Sequence, residues 1–455
     1  MTTTEPAVAT NAALAATFVT PDDPEYDETR AVYNAMVDKR PAVIARCADD
    51  DDVAAALAYA GEHGLEVAVR GGGHAVAGTS LADGGLVIDL SRMASVDVDP
   101  TARTARVSGG ATMSHLDRAT QPYDLVTTGG RVSTTGVGGF TLGGGTGWLD
   151  RTFGLACDNL LSVDLVTAEG RRVTASQDEH PDLFWALHGG GGNFGVATSL
   201  TFRLHPLPTF SAALLMWRAE EGEPVLRAFR DAIEGGPDEL GGGAIYLTAP
   251  PEHFVPETLV GSLALLVLVT YTGPEAGLRD LAAPLLAMSP EVEIVAEMPY
   301  ADVQCMLDDP PGNRNYWSAE HLASLPDEAV AVFAALSESV PLPTSTQHVL
   351  FCGGGVAGRS DADFPVPWRA APWIAHPFAV WTDPQDDDRC REWTRRVRSE
   401  MRPWATGDVY LNFIGNEGAD RVRAGFGEHW DRLVAVKRED DPANVFHLNH
   451  NIDPA

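Results

Sequence analysis

The sequence predicts an α+β protein built from two domain-scale parts. Three observations carry that prediction: a strand-helix-strand alternation near the start, segments crowded with glycine, and a change of character after about residue 208. Beyond that point apolar strands are interleaved with charged helices. At 455 residues and 44% hydrophobic, the chain is long enough for about three domain-sized units and a large core.

The first 25 residues are rich in Thr, Ala, Pro and Asp and read as loosely held. Ala42–Cys47 is a short apolar strand. Asp49 to Asp52 supply N-cap candidates and put negative charge at a helix start. Val53–His63 is an alanine-rich helix, and Gly64 suits the left-handed position after its end. Leu65–Arg70 is the next strand and closes a β-α-β unit. Gly85–Leu90 and Ala102–Gly109 read as further strands. In the second part, Ala212–Trp217, Leu259–Tyr271 and His348–Cys352 are strands, and Leu278–Ala287 and Asp387–Arg402 are helices. That pattern predicts an antiparallel sheet backed by helices. The last fifty residues return to short motifs, YLNF and NVFHLNHNI.

Composition excludes several classes of partner. With 32 Lys+Arg against 64 Asp+Glu the net charge is −32, so the chain repels the phosphates of nucleic acid and of anionic membranes. Lys39 and Lys437 are the only lysines. The acidity reads as a solvated surface, or as steering of a cationic substrate. Cys47, Cys157, Cys305, Cys352 and Cys390 are odd in number and form no CxxC, which argues against a disulfide framework and a zinc site. No metal site is expected. The N-terminus lacks a basic n-region and a twin arginine. The longest apolar run, Leu259–Tyr271, is too short to span a bilayer. A cytoplasmic protein is expected, with a small-molecule partner and neither nucleic acid nor membrane.

Three glycine loops are candidate binding elements. Arg70, Gly71, Gly72, Gly73 and His74 through Gly78 follow a strand directly. Consecutive glycines let backbone N–H groups converge on an anion, and diphosphate suits such a nest. His74 has few local side chains to pack on, so it is expected to face solvent or a ligand. Gly129 to Gly147 interleaves glycines with Ser133, Thr134 and Thr135, a pattern that suits wrapping around a flat ligand or a set of tight turns. Gly190 to Gly195 matches GxGxxG, but a helix-like LFWAL precedes it and a strand follows. The dinucleotide fingerprint needs the reverse order, so that reading is rejected.

Together VRGGGHAVAG, GGLVIDLSRM, TTGVGGFTLGGGTGWLDRTFGLACDN, DLFWALHGGGGNFGV and DPANVFHLNHNI resemble the berberine-bridge-enzyme-like covalent-FAD oxidases. These share the vanillyl-alcohol oxidase and p-cresol methylhydroxylase fold, and the motifs are near those of bacterial 6-hydroxy-D-nicotine oxidases. The resemblance is strong over about residues 30–205 and good over the last fifty residues. It implies a two-lobed FAD-binding domain of the p-cresol methylhydroxylase (PCMH) type over 1–208, a substrate-binding domain over 209–404, and a C-terminal return to the FAD domain over 405–455.

The resemblance also implies site residues. His74 would be bonded to the flavin 8α-methyl carbon, with the diphosphate against Gly71 to Gly73. Thr134, Gly136, Gly138, Gly139, Leu142 and Gly143 to Gly145, including Gly144 and Gly145, would line the cofactor. Val196 would lie near the adenine end, and Asn449 and Asn451 match an N-x-N-I ending that approaches the flavin ring. Val132 stands where bicovalent relatives carry a second flavin-linking cysteine, so one covalent link is expected. Cys157 reads as core. The stretch Cys352 to Gly358 holds no carboxylate where plant relatives carry a catalytic glutamate. Thr135 occupies the position taken to gate oxygen.

For the chemistry, a substrate C–H must point at the flavin while a base takes the O–H or N–H proton. Tyr410 and Asn412 match a Y-x-N strand beside the flavin and, two residues apart, are expected on one strand face. As a base, Tyr410 would need a lowered pKa. Tyr316 and Trp317 are expected to wall the pocket, with Arg314 and Trp373 as weaker candidates. His188 replaces an arginine common in relatives. The expected activity is that of an FAD-dependent oxidoreductase: an oxidase passing electrons to O2, a dehydrogenase with another acceptor, or a flavin-binding module without turnover.

Overall fold

The structure is a computed structural model, and it describes residues 18–341, 344–353 and 364–455. The α+β class read from the sequence is observed: helices pack on three main sheets. The first sheet has four strands. Val43–Arg46, Leu86–Asp89 and Val67–Arg70 run parallel, and Phe18–Val19 pairs antiparallel at the edge. Parallel strands of one sheet need a crossover, and the helix Asp50–His63 supplies it from Val43–Arg46 to Val67–Arg70, which lie on either side of Leu86–Asp89. Its ends follow the sequence. The Asp49 side chain accepts from the Asp52 N–H at 3.0 Å, and Gly64 takes φ +64° at the C-terminus.

The second sheet has five antiparallel strands and centres on Val196–Arg203, flanked by Thr104–Ser108 and Leu160–Val166. The third has eight strands and includes Ser211–Arg218, Leu240–Thr248, Leu263–Tyr271, Gln347–Cys352 and Trp373–Trp381. Its strands alternate cleanly. Leu265, Val267, Leu350, Trp373 and Ala375 pack under the helices Gly222–Gly235, Asp327–Ser337 and Asp387–Met401. Leu266, Leu268, Val349, Phe351 and Ile374 face the opposite way, toward the glycine-rich half. The sheet is therefore buried on both faces, and the second face supplies one wall of the site.

Two elements differ from expectation. The helix expected over Leu278–Ala287 is two short ones, Glu275–Leu281 and Ala283–Leu286. Pro284 has no N–H and its ring clashes with the preceding turn, so the helix restarts there. The strand expected from Leu259 begins at Leu263, after a turn in which Gly261 takes φ +75°. Among the described residues no helix is long and apolar enough to cross a membrane.

Candidate active site

One large cavity lies between the glycine loops and the second face of the eight-stranded sheet, with about 2050 Å³ of empty space including its open mouth. Gly71, Gly72 and Gly73 line it at the end of the parallel strand Val67–Arg70. Gly72 and Gly136 touch backbone to backbone. A Cβ on Gly72 would sit 2.3 Å from the Gly136 nitrogen, and one on Gly136 would sit 2.4 Å from the Gly72 nitrogen. Arg70 does not line the cavity. Its buried guanidinium pairs with Asp89 at 2.7 Å and braces the loop from behind. Gly78 is also off the wall, packed on Val37 at φ +67°, with Lys39 Nζ donating to its carbonyl at 2.8 Å.

His74 faces the cavity, but it is not bare of partners as expected. It stacks on Tyr33, ring centroids 4.1 Å apart and 20° between planes, and one ring nitrogen lies 2.9 Å from Thr134 Oγ1. Tyr33 precedes it by 41 positions, beyond any local pattern. Burial pushes the His74 pKa down to about 4, with Asp308 opposing, so the imidazole is neutral near pH 7.

Val132, Thr135, Gly136, Gly138, Gly139 and Leu142 continue the wall. Thr134 reaches the site only through His74. Gly144 and Gly145 are turned away, since a Cβ on them would meet Trp368 and Val366, or Ala156 and Phe140. Asp308, from the third-sheet half, accepts from the Ser133 N–H at 2.7 Å and the Ser133 hydroxyl at 2.6 Å, fixing this loop across the cavity.

The third loop contributes Gly189 to Gly192 and Gly195. Val196 does not line the cavity; its fully buried side chain packs with Val53 and Val166 in the core of the first sheet. Asn449 lines the cavity and donates to the Gly192 and Phe446 carbonyls, at 3.3 and 2.9 Å. Asn451 does not line it, and its Oδ1 is buried without a partner. Lys437 ties this region together from full burial, donating to the Asn193 and Phe446 carbonyls and to Asp441. Lys437→Met strands the Asp441 carboxylate, and a loss of about 3–5 kcal/mol of stability is expected in urea unfolding.

The far end of the cavity meets Trp317, Val349, Phe351, Phe378 and Phe413. Tyr410 and Asn412 both line it, but not from a strand: Tyr410 precedes the 3-10 turn Leu411–Phe413. Asn412 Nδ2 donates to the Tyr410 oxygen at 3.0 Å and to the Phe140 carbonyl at 3.2 Å. Burial pushes the Tyr410 phenol above its ordinary range, although Asn412 works against it. The lowered pKa expected of a tyrosine base is therefore not what these surroundings produce.

Tyr316 is off the cavity. It packs against the helix-covered core and under Arg395, while Trp317, its neighbour on the strand, faces in. Arg314 is spent on Asp387 at 2.7 Å, and Trp373 is buried on the helix side with its Nε1 on Glu234. His188 stacks on Phe364 at 4.0 Å, and Cys157 is buried near Leu155 and Trp368. Gly354 to Gly358 lie outside the described residues. Sequence reasoning missed Arg131, Gln347 and His376, all on the cavity wall. Arg131 is buried over the Phe351 ring at 4.0 Å and donates to the Gly147 carbonyl at 2.7 Å.

The residues present fit a flavin dinucleotide. Three loops offer side-chain-free backbone along one elongated cavity, and at Gly139 and Gly192 a Cβ would meet no atom within 4 Å, so the open space comes directly up to the backbone.

Comparison with known proteins agrees with this geometry. Residues 41–176 match the FAD binding domain family, and residues 409–453 match the family described as berberine and berberine like. An (R)-6-hydroxynicotine oxidase of Paenarthrobacter nicotinovorans is 31% identical, with 98% of each chain covered. An uncharacterized FAD-linked oxidoreductase of Bacillus subtilis is 31% identical, with 97% of each chain covered. The crystal structure of a 6-hydroxy-D-nicotine oxidase from Arthrobacter nicotinovorans superimposes with a TM-score of 0.86 at 28% identity, covering 96% of this chain and 98% of that one. A berberine bridge enzyme from Eschscholzia californica shares the fold, with a TM-score of 0.85 at 20% identity and 96% of each chain covered.

Proposed function

The chain belongs to the berberine-like family of FAD-linked oxidoreductases, and we propose that it is an oxidase whose FAD is bonded to His74 alone and reoxidised by O2. Residues 1–208 and 405–455 are assigned to holding FAD, and 209–404 to the substrate. The observation that carries the reading is the seat of His74. It is a neutral imidazole on the cavity wall, held by Tyr33 and Thr134 at the end of a glycine cradle. Val132 lines the same wall and has no sulfur to offer, which supports a single link.

Bound FAD supplies a two-electron acceptor for hydride from a substrate carbon. Backbone of the three glycine loops would hold it, with His74 as the tether and Asn449 at the closing segment. Tyr410 is assigned a donor's role, its neutral hydroxyl pointing a hydrogen bond at substrate or cofactor. Asn412 is a positioning residue, because it fixes the Tyr410 oxygen against the Phe140 carbonyl. Trp317, Phe378 and Phe413 keep water from the reacting carbon. A dehydrogenase is the second reading, favoured by Thr135, a polar residue on the wall at the position taken to gate oxygen.

The test is anaerobic mixing of the yellow protein with alcohols, sugars, amines and hydroxylated aromatics. Bleaching, then rapid recolouring in air with stoichiometric peroxide, is expected. Slow recolouring in air supports the dehydrogenase, and no bleaching with any compound removes both. Tyr410→Phe is expected to slow bleaching about 10-fold, the worth of one neutral hydrogen bond. Because the phenol stays protonated, wild-type bleaching shows no tyrosine ionisation below pH 10; an inflection there that vanishes in Tyr410→Phe contradicts the donor role.

A further inference from the structure

Two imidazoles on the cavity wall, His376 and His450, have no task in the reading above, and His376 is the one stacked among the aromatic side chains of the far end. His376 lies on the strand Trp373–Trp381, where Trp373, Ala375, Ala379 and Trp381 face the helices and Ile374, His376 and Phe378 face the other way. Its Nδ1 is 2.8 Å from the Ser318 carbonyl oxygen. A carbonyl can only accept, so Nδ1 carries the hydrogen and Nε2 keeps its lone pair. The ring is fixed flat on Phe413, centroids 4.3 Å apart and 14° between planes, with Trp317 at 5.9 Å. Among the described residues Nε2 has no hydrogen-bond partner, and yet it is not sealed in.

The other two histidines of this sheet differ. His348 faces the helices, with Nδ1 on Ser337 and Nε2 buried without a partner. His321 is sealed with both ring nitrogens unpartnered. Only His376 of the three borders the cavity. Arg131, Thr146, Gln347, Tyr410 and Asn412 also bring polar side chains to this end, amid Leu307, Val349, Phe351 and Phe378. No carboxylate borders the cavity among the described residues.

We propose that His376 Nε2 accepts the hydrogen bond, and then the proton, of a single hydroxyl or N–H donor on a flat, largely apolar substrate. The proposal rests on the oxidoreductase reading and names the base and substrate class of that same site. For an alcohol, the O–H bond breaks, its electron pair stays on oxygen, and an Nε2–H bond forms to give imidazolium. The carbon gives up its hydrogen with two electrons to the cofactor and becomes a carbonyl. The base must be neutral beforehand. Burial, with Arg131 adding to it and the Ser318 carbonyl opposing, lowers the His376 pKa to about 4. The neighbouring strands present His321 and His348, themselves pushed down to about 3.

The test compares phenol with anisole, which has the same ring but no O–H, by calorimetric titration of the FAD-loaded protein. Phenol is expected to bind about 10-fold more tightly to the wild type, the worth of one hydrogen bond. His376→Leu is expected to erase that preference, and His376→Gln, which keeps an acceptor, to retain part of it. A preference unchanged in His376→Leu, equal affinities in the wild type, or binding of neither ring overturns the proposal. A second measurement does not depend on the variant folding. Diethyl pyrocarbonate on the wild type, read by mass spectrometry, is expected to label His376, to be blocked by phenol, and to spare His348. An unlabelled His376 also overturns it. A preparation without flavin would instead end the oxidoreductase reading, and the labelling would still read the imidazole.

Discussion

Alanine at His74 is expected to leave the flavin extractable. Acid precipitation of the wild type gives a yellow pellet, and that of His74→Ala gives a colourless pellet under a yellow supernatant. The variant still binds FAD, because the glycine backbone that lines the cavity is untouched. It loses the ring stacked on Tyr33 and the contact with Thr134, so a stability loss of about 1–2 kcal/mol accompanies the release. His376 and Tyr410 remain in place, and reduction by substrate should persist at a lower rate. The variant therefore separates tethering from catalysis. A yellow pellet from His74→Ala removes the tether from this residue, and Val132, a hydrocarbon on the same wall, offers no alternative.

What was legible in the sequence was what short-range physics determines. The helix Asp50–His63 has its cap at Asp49 and its stop at Gly64 because both devices act within one turn. Gly71 to Gly73 could be read as a cradle because triple glycine has no side chain to do anything else. Side-chain direction at a distance was not legible. Arg70 looked like part of the nest until Asp89, 19 residues on, claimed its guanidinium. Val196 sits between two cavity-lining residues, and strand alternation sends its own side chain into the core. Tyr410 and Asn412 come together, but by a 3-10 turn that no Y-x-N spacing distinguishes from a strand. His376 shows the limit best. The strand WIAHPFAVW is buried on both faces, so nothing in it tells which face meets a cavity.

The glycines carry a second large effect, and they divide by what lies opposite. Gly72→Ala is expected to destabilise the fold itself. The new methyl would lie 2.3 Å from the Gly136 nitrogen, 2.8 Å from its Cα and 2.9 Å from the Thr134 carbonyl oxygen. All three are backbone atoms, so no rotamer change relieves the clash, and the loops must part. A cost at or above about 3 kcal/mol is expected, the upper end for overpacking. Gly136→Ala meets the same contact from the other side, at 2.4 Å from the Gly72 nitrogen, and should cost as much. Since each methyl breaks the same contact, the double variant should lose less than the sum of the two. Gly139→Ala is the contrast. It lines the same cavity, but a Cβ there meets nothing within 4 Å. Gly139 lies in the short helix Val137–Leu142, where alanine is the better helix former, so the apoprotein should unfold at an unchanged or slightly higher urea concentration, while FAD loading drops because the methyl occupies cofactor space. If Gly139→Ala loads FAD fully, the cofactor does not pass over this helix. If Gly72→Ala is as stable as the wild type, the two loops do not touch as described.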